Sequence, residues 1–165
     1  MENLKVALVI VSDSLAAKKR EDKSQAVVEE FLADKPADLV VVKVIADGIE
    51  SVEAALAELL LIDSLDLILT TGGTGVSPRD LTPEGTSKFI KIAIPGLIEA
   101  MRNVSMKITK NAILMRGLAG FNDGRLIVNL PGSPKSLIEN LSVVWDGMLH
   151  GIKKAQGDIS DCIPN

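Results

Sequence analysis

The chain of 165 residues is poor in several residue types, and each scarcity excludes a class of function. One cysteine, Cys162, permits neither a disulfide within the chain nor a cluster of thiolate ligands around a metal. Four aromatic residues, three Phe and one Trp, are too few for the stacking surfaces that bind single-stranded nucleic acid. The net charge of −4 disfavours binding to a polyanion. We therefore expect a cytoplasmic protein without a nucleic-acid partner.

Long hydrophobic runs are also missing from the sequence. No apolar stretch approaches the roughly 20 residues that a membrane-spanning helix needs. The first apolar run, residues 6–11, is shorter than the core of a signal peptide, so we expect neither export nor a membrane span. With 47% hydrophobic and 24% charged residues, the composition is typical of a soluble globular protein, and residues 1–165 are expected to form a single domain.

What the sequence does contain, in its first half, is an alternation of apolar runs with helical patterns. Aliphatic and β-branched runs predict strands over residues 4–11, 39–45 and 67–71. Helices are predicted between them, over residues 25–33 and 52–62, with Ser51 as the N-cap of the second. Because crossover connections are right-handed, the three strands should be parallel, with helices packed over the sheet. The expected fold class is α/β: a three-layer α/β/α sandwich with a mostly parallel sheet.

The second half of the chain predicts three more helices and an antiparallel pair of strands. The helices are expected from Thr82 to about residue 92, over residues 97–106 and over residues 134–155. Thr82 is predicted as an N-cap because Pro83 follows it at the first helical position. Apolar runs at residues 112–115 and 126–130, separated by the turn Asn122-Asp123-Gly124, indicate antiparallel or edge pairing. The helix over residues 97–106 carries an apolar stripe that faces either the core or a partner chain: Leu97, Ile98, Met101 and Val104.

Polar or glycine-rich loops follow the predicted strands, and their position is informative. In open α/β sheets, ligands bind at the carboxyl ends of the strands. Four loops are expected to converge there: Ser12-Asp13-Ser14, Asp47-Gly48, residues 70–75 and residues 129–135.

The richest of these loops is Thr70-Thr71-Gly72-Gly73-Thr74-Gly75. Because three of its positions lack side chains, its backbone amides can form a nest for an anion such as phosphate. A tight strand-to-helix turn has the same composition, so the glycines alone do not distinguish an anion-binding loop from a plain turn. Arg79, Asp80 and the helix that begins near Thr82 add a guanidinium, a carboxylate and a helix N-terminus, which together suit a phosphate and a divalent cation.

Two common nucleotide motifs do not match. A P-loop ends in Gly-Lys-Ser/Thr, whereas this segment continues with Ser77 and Pro78. A Rossmann fingerprint belongs after the first strand, where the chain has Ser12-Asp13-Ser14 and no glycine. We therefore expect neither a P-loop site nor ordinary NAD binding.

The order Gly72-Gly73-Thr74-Gly75-x-Ser-Pro-Arg-Asp-x-Thr-Pro-Glu resembles the signature of the molybdopterin-binding family of molybdenum cofactor biosynthesis, and within it the molybdopterin adenylyltransferases. The resemblance covers nearly the whole chain. Further segments support it: Val11-Ser12-Asp13, Asp22-Lys23-Ser24, residues 66–71, Pro95-Gly96-Leu97 and residues 129–135. Gln25 stands where the family usually has Gly, and Gly85 where it usually has Ala, and neither change removes a charged group.

The resemblance implies an enzyme that transfers AMP from ATP to the terminal phosphate of molybdopterin. It implies Mg²⁺ as the cofactor, with Asp47 and Asp80 as catalytic residues and metal ligands. It assigns nucleotide and phosphate binding to Ser12, Asp13, Thr71, Gly72, Gly73, Thr74 and Gly75, and molybdopterin binding to Arg79, Pro131, Gly132, Ser133 and Lys135. It also implies a homotrimer and, as a further partner, a protein that inserts molybdate.

Simpler roles for these residues remain open from the sequence. Asp47 precedes Gly48 and fits a plain turn. Asp80 fits an ion pair with Arg79 or support for the following helix, and Arg79 fits a solvated surface position. The alternative function is a non-catalytic carrier of molybdopterin or nucleotide. The presence of both Asp47 and Asp80 favours the enzyme over the carrier.

Overall fold

The computed structural model describes residues 3–17 and 23–159. Asp22 and Cys162, which the sequence analysis used, lie outside the described residues. The helices are α1 (Asp13–Ala16), α2 (Ser24–Leu32), α3 (Ile49–Leu59), α4 (Thr82–Ser87), α5 (Pro95–Ser105) and α6 (Pro134–Ala155). The strands are β1 (Leu4–Val11), β2 (Ala37–Ile45), β3 (Leu67–Thr71), β4 (Ile92–Ala93), β5 (Ala119–Asn122) and β6 (Arg125–Leu130). A short 3₁₀ helix spans Lys110–Leu114.

These strands form one sheet in the order β2-β1-β3-β6-β5-β4. β2, β1, β3 and β6 are parallel to one another, whereas β5 is antiparallel to both β6 and β4. The mostly parallel sheet predicted from the sequence is therefore confirmed. As a consequence, the carboxyl ends of β1, β2, β3 and β6 share one edge of the sheet.

The side chains of β1 show how the sheet is covered on both faces. Val6, Leu8 and Ile10 belong to a core cluster shared with α2, α5 and α6. Ala7 and Val9 alternate with them and belong to a second cluster, shared with α3. All five are at most 2% exposed. Burial on both faces explains the continuous apolar run of β1, and it yields the predicted three layers.

The start and end of α4 differ from the prediction. The residue before the helix is Leu81, and Thr82 is already helical, so Thr82 is not the N-cap. Its hydroxyl instead donates to the carbonyl of Gly72 at 2.9 Å. The helix ends at Ser87 rather than near residue 92, because Ile92 and Ala93 pair with β5 as an edge strand.

The start of α3 also differs from the prediction. The helix begins at Ile49 after Gly48, whose φ of 125° lets the chain turn sharply out of β2. Ser51 is therefore inside the helix, and its hydroxyl donates back to the carbonyl of Asp47 at 3.4 Å. The prediction of Ser51 as the N-cap was wrong.

The antiparallel pair forms, but with a different first strand. Residues 112–115 are not a strand, because residues 110–114 form the 3₁₀ helix, where the side chain of Thr109 accepts from the amide of Asn111. The strand that pairs with β6 is β5, and the turn between them is Asp123-Gly124, with φ values of 47° and 81°. Two consecutive positive φ angles are typical of a type I′ hairpin turn, so a turn forms where the sequence predicted one.

Three of the four residues in the apolar stripe of α5 pack in the core of the chain. Ile98 and Met101 are buried in the same cluster as Val6, and Leu97 packs against it. Among the residues that the structure describes, no helix combines the length and the apolar character needed to cross a membrane.

Candidate functional site

The four predicted loops meet at one edge of the sheet. The amide of Asp47 donates to Oδ1 of Asp13 at 3.0 Å, which joins the loops after β2 and β1. Oγ1 of Thr71 donates to the carbonyl of Pro131 at 2.8 Å, which joins the ends of β3 and β6. Nη1 of Arg79 lies 3.0 Å from Oδ2 of Asp13, which brings the loop after β3 to the loop after β1.

Five residues enclose a pocket of about 300 Å³, which we call the acidic pocket: Ser12, Asp13, Ser14, Asp47 and Arg79. Its two carboxylates are held side by side, because each accepts from the backbone amide of the other residue, at 3.0 Å and 3.4 Å. The side chain of Arg79 is 72% exposed, so its ion pair with Asp13 is of the weak surface kind. Arg79 can therefore exchange Asp13 for another anion at little cost.

The electrostatics of Asp47 distinguish it from an ordinary turn residue. Burial raises the pKa of its carboxyl above the usual 3.8, and the nearby carboxylates of Asp13 and Asp80 raise the pKa further. The amide of Asp13 and the guanidinium of Arg79 act in the opposite direction but do not cancel the effect. Such a gathering of like charges in a pocket favours a cation.

The segment between β3 and α4, residues 72–80, is called the glycine loop below. Gly72 and Gly73 have φ values of 97° and 63°, a region that other residues rarely adopt. A Cβ on Gly72 would lie 2.3 Å from the carbonyl oxygen of Val11, and one on Gly73 would lie 2.3 Å from Oγ1 of Thr82. Both glycines are thus required by the conformation of the loop itself, whatever ligand binds there.

Asp80 lies at the far end of the glycine loop and shapes it. Its Oδ2 accepts from the amide of Ser77 at 2.8 Å, and it lies so close to Gly75 that a Cβ there would be 2.8 Å away. Arg79 pairs with Asp13, so the expectation that Asp80 is simply its ion-pair partner does not describe the structure. Arg79 itself lines the acidic pocket, and its assignment to molybdopterin binding stays a prediction.

The loop after β6 carries the remaining predicted residues. A Cβ on Gly132 would lie 3.1 Å from Cα of Gly72, so this loop and the glycine loop touch backbone to backbone. Ser133 is the N-cap of α6, and its hydroxyl oxygen accepts from the amide of Ser136 at 3.2 Å. Lys135 is 81% exposed on its side chain, and its Nζ lies 3.9 Å from Glu139. Ser133 is therefore fixed in place, while Lys135 extends into solvent.

A second cavity, which the sequence analysis missed, lies on the other side of Pro131. We call it the α5–α6 recess; it has a volume of about 220 Å³ and is lined by Arg102, Ser105, Thr109, Asn111, Ala112, Met115, Pro131, Ser136 and Asn140. Nη2 of Arg102 donates to the carbonyl of Met115 at 2.9 Å. Within residues 3–17 and 23–159, Nε of the same side chain is buried without a hydrogen-bond partner. No pattern in the sequence marked this cavity.

Two further polar residues, Asn129 and Arg116, support the loops from behind. Asn129 is fully buried in β6, and its Nδ2 donates to Oγ1 of Thr70 at 2.9 Å and to Oγ1 of Thr86 at 3.0 Å. Arg116 contacts the glycine loop directly. Sequence reasoning gave Arg116 no role, because it lies between an apolar run and a hairpin and far along the chain from the glycines.

Comparisons with known proteins identify the family of the chain and agree with its fold. The family described as a probable molybdopterin binding domain matches residues 7–150. Molybdopterin adenylyltransferases from Helicobacter pylori and Escherichia coli K12 are each 36% identical over 96% of this chain, which covers 91% and 78% of their lengths. The crystal structure of the molybdopterin biosynthesis enzyme MoaB from Thermus thermophilus superposes with a TM-score of 0.87 at 37% identity, covering 94% of this chain and 98% of that one. The chain therefore belongs to the molybdopterin-binding domain family, as the signature in its glycine loop indicates.

Proposed function

We propose that this protein is a molybdopterin adenylyltransferase, which transfers AMP from ATP to the terminal phosphate of molybdopterin and releases pyrophosphate. The observation that carries the proposal is the acidic pocket, in which Asp13 and Asp47 lie side by side with Arg79, next to a glycine loop of fixed conformation. The names of the two bacterial relatives support the same activity.

The chemistry of this reaction fits such a site. A phosphate oxygen of molybdopterin forms a bond to the α-phosphorus of ATP, and the bond from that phosphorus to the bridging oxygen of pyrophosphate breaks. Both reactants are anions, so the protein must neutralise charge and align the two groups, and it needs no covalent nucleophile. Arg79 supplies a positive charge, and the amides of residues 73–75 supply neutral donors.

We further propose that Mg²⁺ is bound by Asp47 and Asp80 together with oxygens of the substrate. Within the described part of the chain, no group of three or more acidic, histidine or cysteine side chains is arranged to hold a metal by itself. One or two carboxylates with substrate phosphates are the usual surroundings of Mg²⁺, so this donor set fits. The ion would supply positive charge at the reacting phosphates.

The molybdopterin half of the site is proposed to lie at Pro131 to Lys135 and in the α5–α6 recess behind Pro131. Ser133 and Lys135 offer a hydroxyl and a cation to the terminal phosphate. Arg102, whose Nε has no described partner, offers a donor to a polar ring edge inside the recess. This arrangement would bring the two phosphates together where the loop after β6 touches Gly72.

The test is product formation by the purified protein with molybdopterin, ATP and Mg²⁺, followed by mass spectrometry of the pterin. We expect adenylylated molybdopterin from the wild type and about 100-fold less from Asp80→Asn, which keeps the shape of the side chain and removes its charge. Asp63→Asn is the matched control, because that carboxylate is fully exposed and distant from the site. Tight binding of molybdopterin without product would instead identify the alternative function, a carrier.

Assembly and setting are also proposals. Because α5 packs on the core, a homotrimer would need another surface, and we propose the exposed apolar side chains after α5: Met106, Ile108, Ile113 and Leu114. Light scattering should give three times the 17.5 kDa of one chain, and a mass of one chain would reject the trimer.

We propose a cytoplasmic location and, as the next partner, a protein that inserts molybdate into the product. A pull-down from the producing cells would test for this partner.

A further inference from the structure

Arg116 is bonded to the glycine loop through both its backbone amide and its guanidinium. Its amide donates to the carbonyl of Thr74 at 2.9 Å, and its Nε donates to the carbonyl of Gly75 at 2.7 Å. Its Nη2 donates to the carbonyl of Asp80, and its Nη1 is paired with the carboxylate of Glu84. Every nitrogen of the guanidinium therefore has a partner on or next to the loop.

These partners lie on the two arms of the loop. Thr74 and Gly75 belong to the arm that leaves β3, whereas Asp80 belongs to the arm that enters α4 and Glu84 lies in the first turn of that helix. One planar guanidinium bonds to both arms, so it restrains the distance between Gly75 and Asp80. It does so in addition to the bonds that Thr82 and Ser77 make within the same segment. A lysine has a single nitrogen on a flexible stem and cannot contact both arms in this way.

The contact with Asp80 runs through its backbone and not through its carboxylate. An arginine paired with the Asp80 carboxylate would neutralise the charge that a cation needs, whereas a bond to the carbonyl fixes the residue and leaves that charge intact. Glu84 takes the counterion role instead. The hydrogen bond from Arg116 holds the pKa of the Glu84 carboxyl below its usual 4.5, so the pair is charged at neutral pH.

We infer that Arg116 is a positioning residue for the transfer reaction: it fixes the glycine loop and Asp80 relative to each other, with Glu84 orienting its guanidinium. The catalytic part of this inference, an effect on product formation, rests on the proposed function. The structural part, the restraint of residues 72–80 by Arg116, rests only on the contacts given above.

The experiment compares Arg116→Lys with Arg125→Lys. Arg125 is a suitable control, because it starts β6 at the opposite edge of the sheet and pairs with Asp63 at 3.3 Å. Hydrogen–deuterium exchange of peptides covering residues 72–80 should become about tenfold faster in Arg116→Lys and remain unchanged in Arg125→Lys. The kcat for adenylyl transfer should fall about 100-fold in Arg116→Lys, while the Kd for molybdopterin stays within about twofold.

Equal effects in both variants, or unchanged exchange in Arg116→Lys, would overturn the inference. A fall in molybdopterin affinity that equals the fall in kcat would also overturn it, because the residue would then act in binding. If the wild type forms no product, the proposed function is wrong, and the exchange result still decides whether Arg116 restrains the loop. Should Arg116→Lys not fold, Glu84→Gln tests the same point, with a smaller increase in exchange expected over the same residues.

Discussion

The glycine loop and the acidic pocket lie side by side, but the first is flanked by a pair of opposite charges and the second gathers like charges. Around the glycine loop, Arg116 and Glu84 form a pair of opposite charges, and the pKa of Glu84 is lowered. In the acidic pocket, the carboxylate of Asp47 lies near two others, and burial with this repulsion raises its pKa. The first arrangement stabilises the fold, whereas the second destabilises it at neutral pH. The comparison distinguishes residues that stabilise the site, Arg116 and Glu84, from a residue proposed to bind a ligand, Asp47.

The largest effect should come from breaking the glycine loop with Gly72→Ala. The new Cβ would lie 2.3 Å from the carbonyl oxygen of Val11, at a φ of 97° that alanine rarely adopts. We expect a loss of about 3 kcal/mol or more in the free energy of unfolding, measured with urea. Gly96→Ala is the control, because that helical position has no atom within 4 Å of the new Cβ and should be neutral or slightly stabilising. Equal stability of the two variants would show that the loop is less confined than described.

The second prediction concerns two carboxyl groups whose pKa values are shifted in opposite directions, Asp47 and Glu84. The native pKa of Asp47 lies above its unfolded value, so its charged form costs stability at neutral pH. Asp47→Asn should therefore raise Tm at neutral pH, and the gain should shrink as pH falls through the raised pKa. The native pKa of Glu84 lies below its unfolded value, so its contribution is present at neutral pH and is lost as pH falls through the lowered pKa. Glu84→Gln should accordingly lower Tm at neutral pH.

The measurement is Tm of both variants and the wild type between about pH 3 and about pH 8. Changes of the same sign in the two variants at neutral pH would contradict the contrast. Asp47→Asn should also abolish most product formation, because Asn cannot supply the charge proposed for Mg²⁺. A protein that becomes more stable as it loses activity is typical of a residue retained for function.

The smallest effect should come from Lys135→Ala, which touches neither region. Its side chain is 81% exposed, so Tm should stay unchanged. Affinity for molybdopterin should fall by about 1 kcal/mol, and affinity for ATP should not change. Lys153→Ala, at the exposed end of the same helix, is the control and should alter neither affinity. A larger loss for ATP than for molybdopterin would mean that the two halves of the site are exchanged.

Much of the fold was predictable because its strongest signals are local. The apolar run of β1 is buried on both faces, so it reads as a strand without knowledge of its neighbours. Asp123-Gly124 predicted the hairpin turn, because few other pairs adopt two positive φ angles. Given the parallel strands, the convergence of Asp13, Asp47 and Gly72 followed from the rule that places loops at one edge.

What could not be predicted depends on contacts between distant segments. Arg116 is 41 residues from the glycine carbonyl that it contacts, and no local pattern marks such a bond. The pairing of β4 with β5 ended α4 early, although Ile92 fits a helix equally well on its own. The ion pair of Arg79 with Asp13, 66 residues away, likewise needed the folded arrangement of the loops.

The hydrogen bond from Thr71 to Pro131 has a consequence for how the chain acquires its site. The two residues are 60 positions apart, and the pairing of β3 with β6 closes the same long connection. The pairing of β1 with β2 involves a shorter connection, so we expect it to form earlier in folding. Synthesis proceeds from the amino end, so the glycine loop is made before β6. Its contact with the loop after β6 can form only once β6 and that loop have been synthesised. A ribosome-bound chain that stops before residue 125 should contain every residue of the acidic pocket and still lack a complete site.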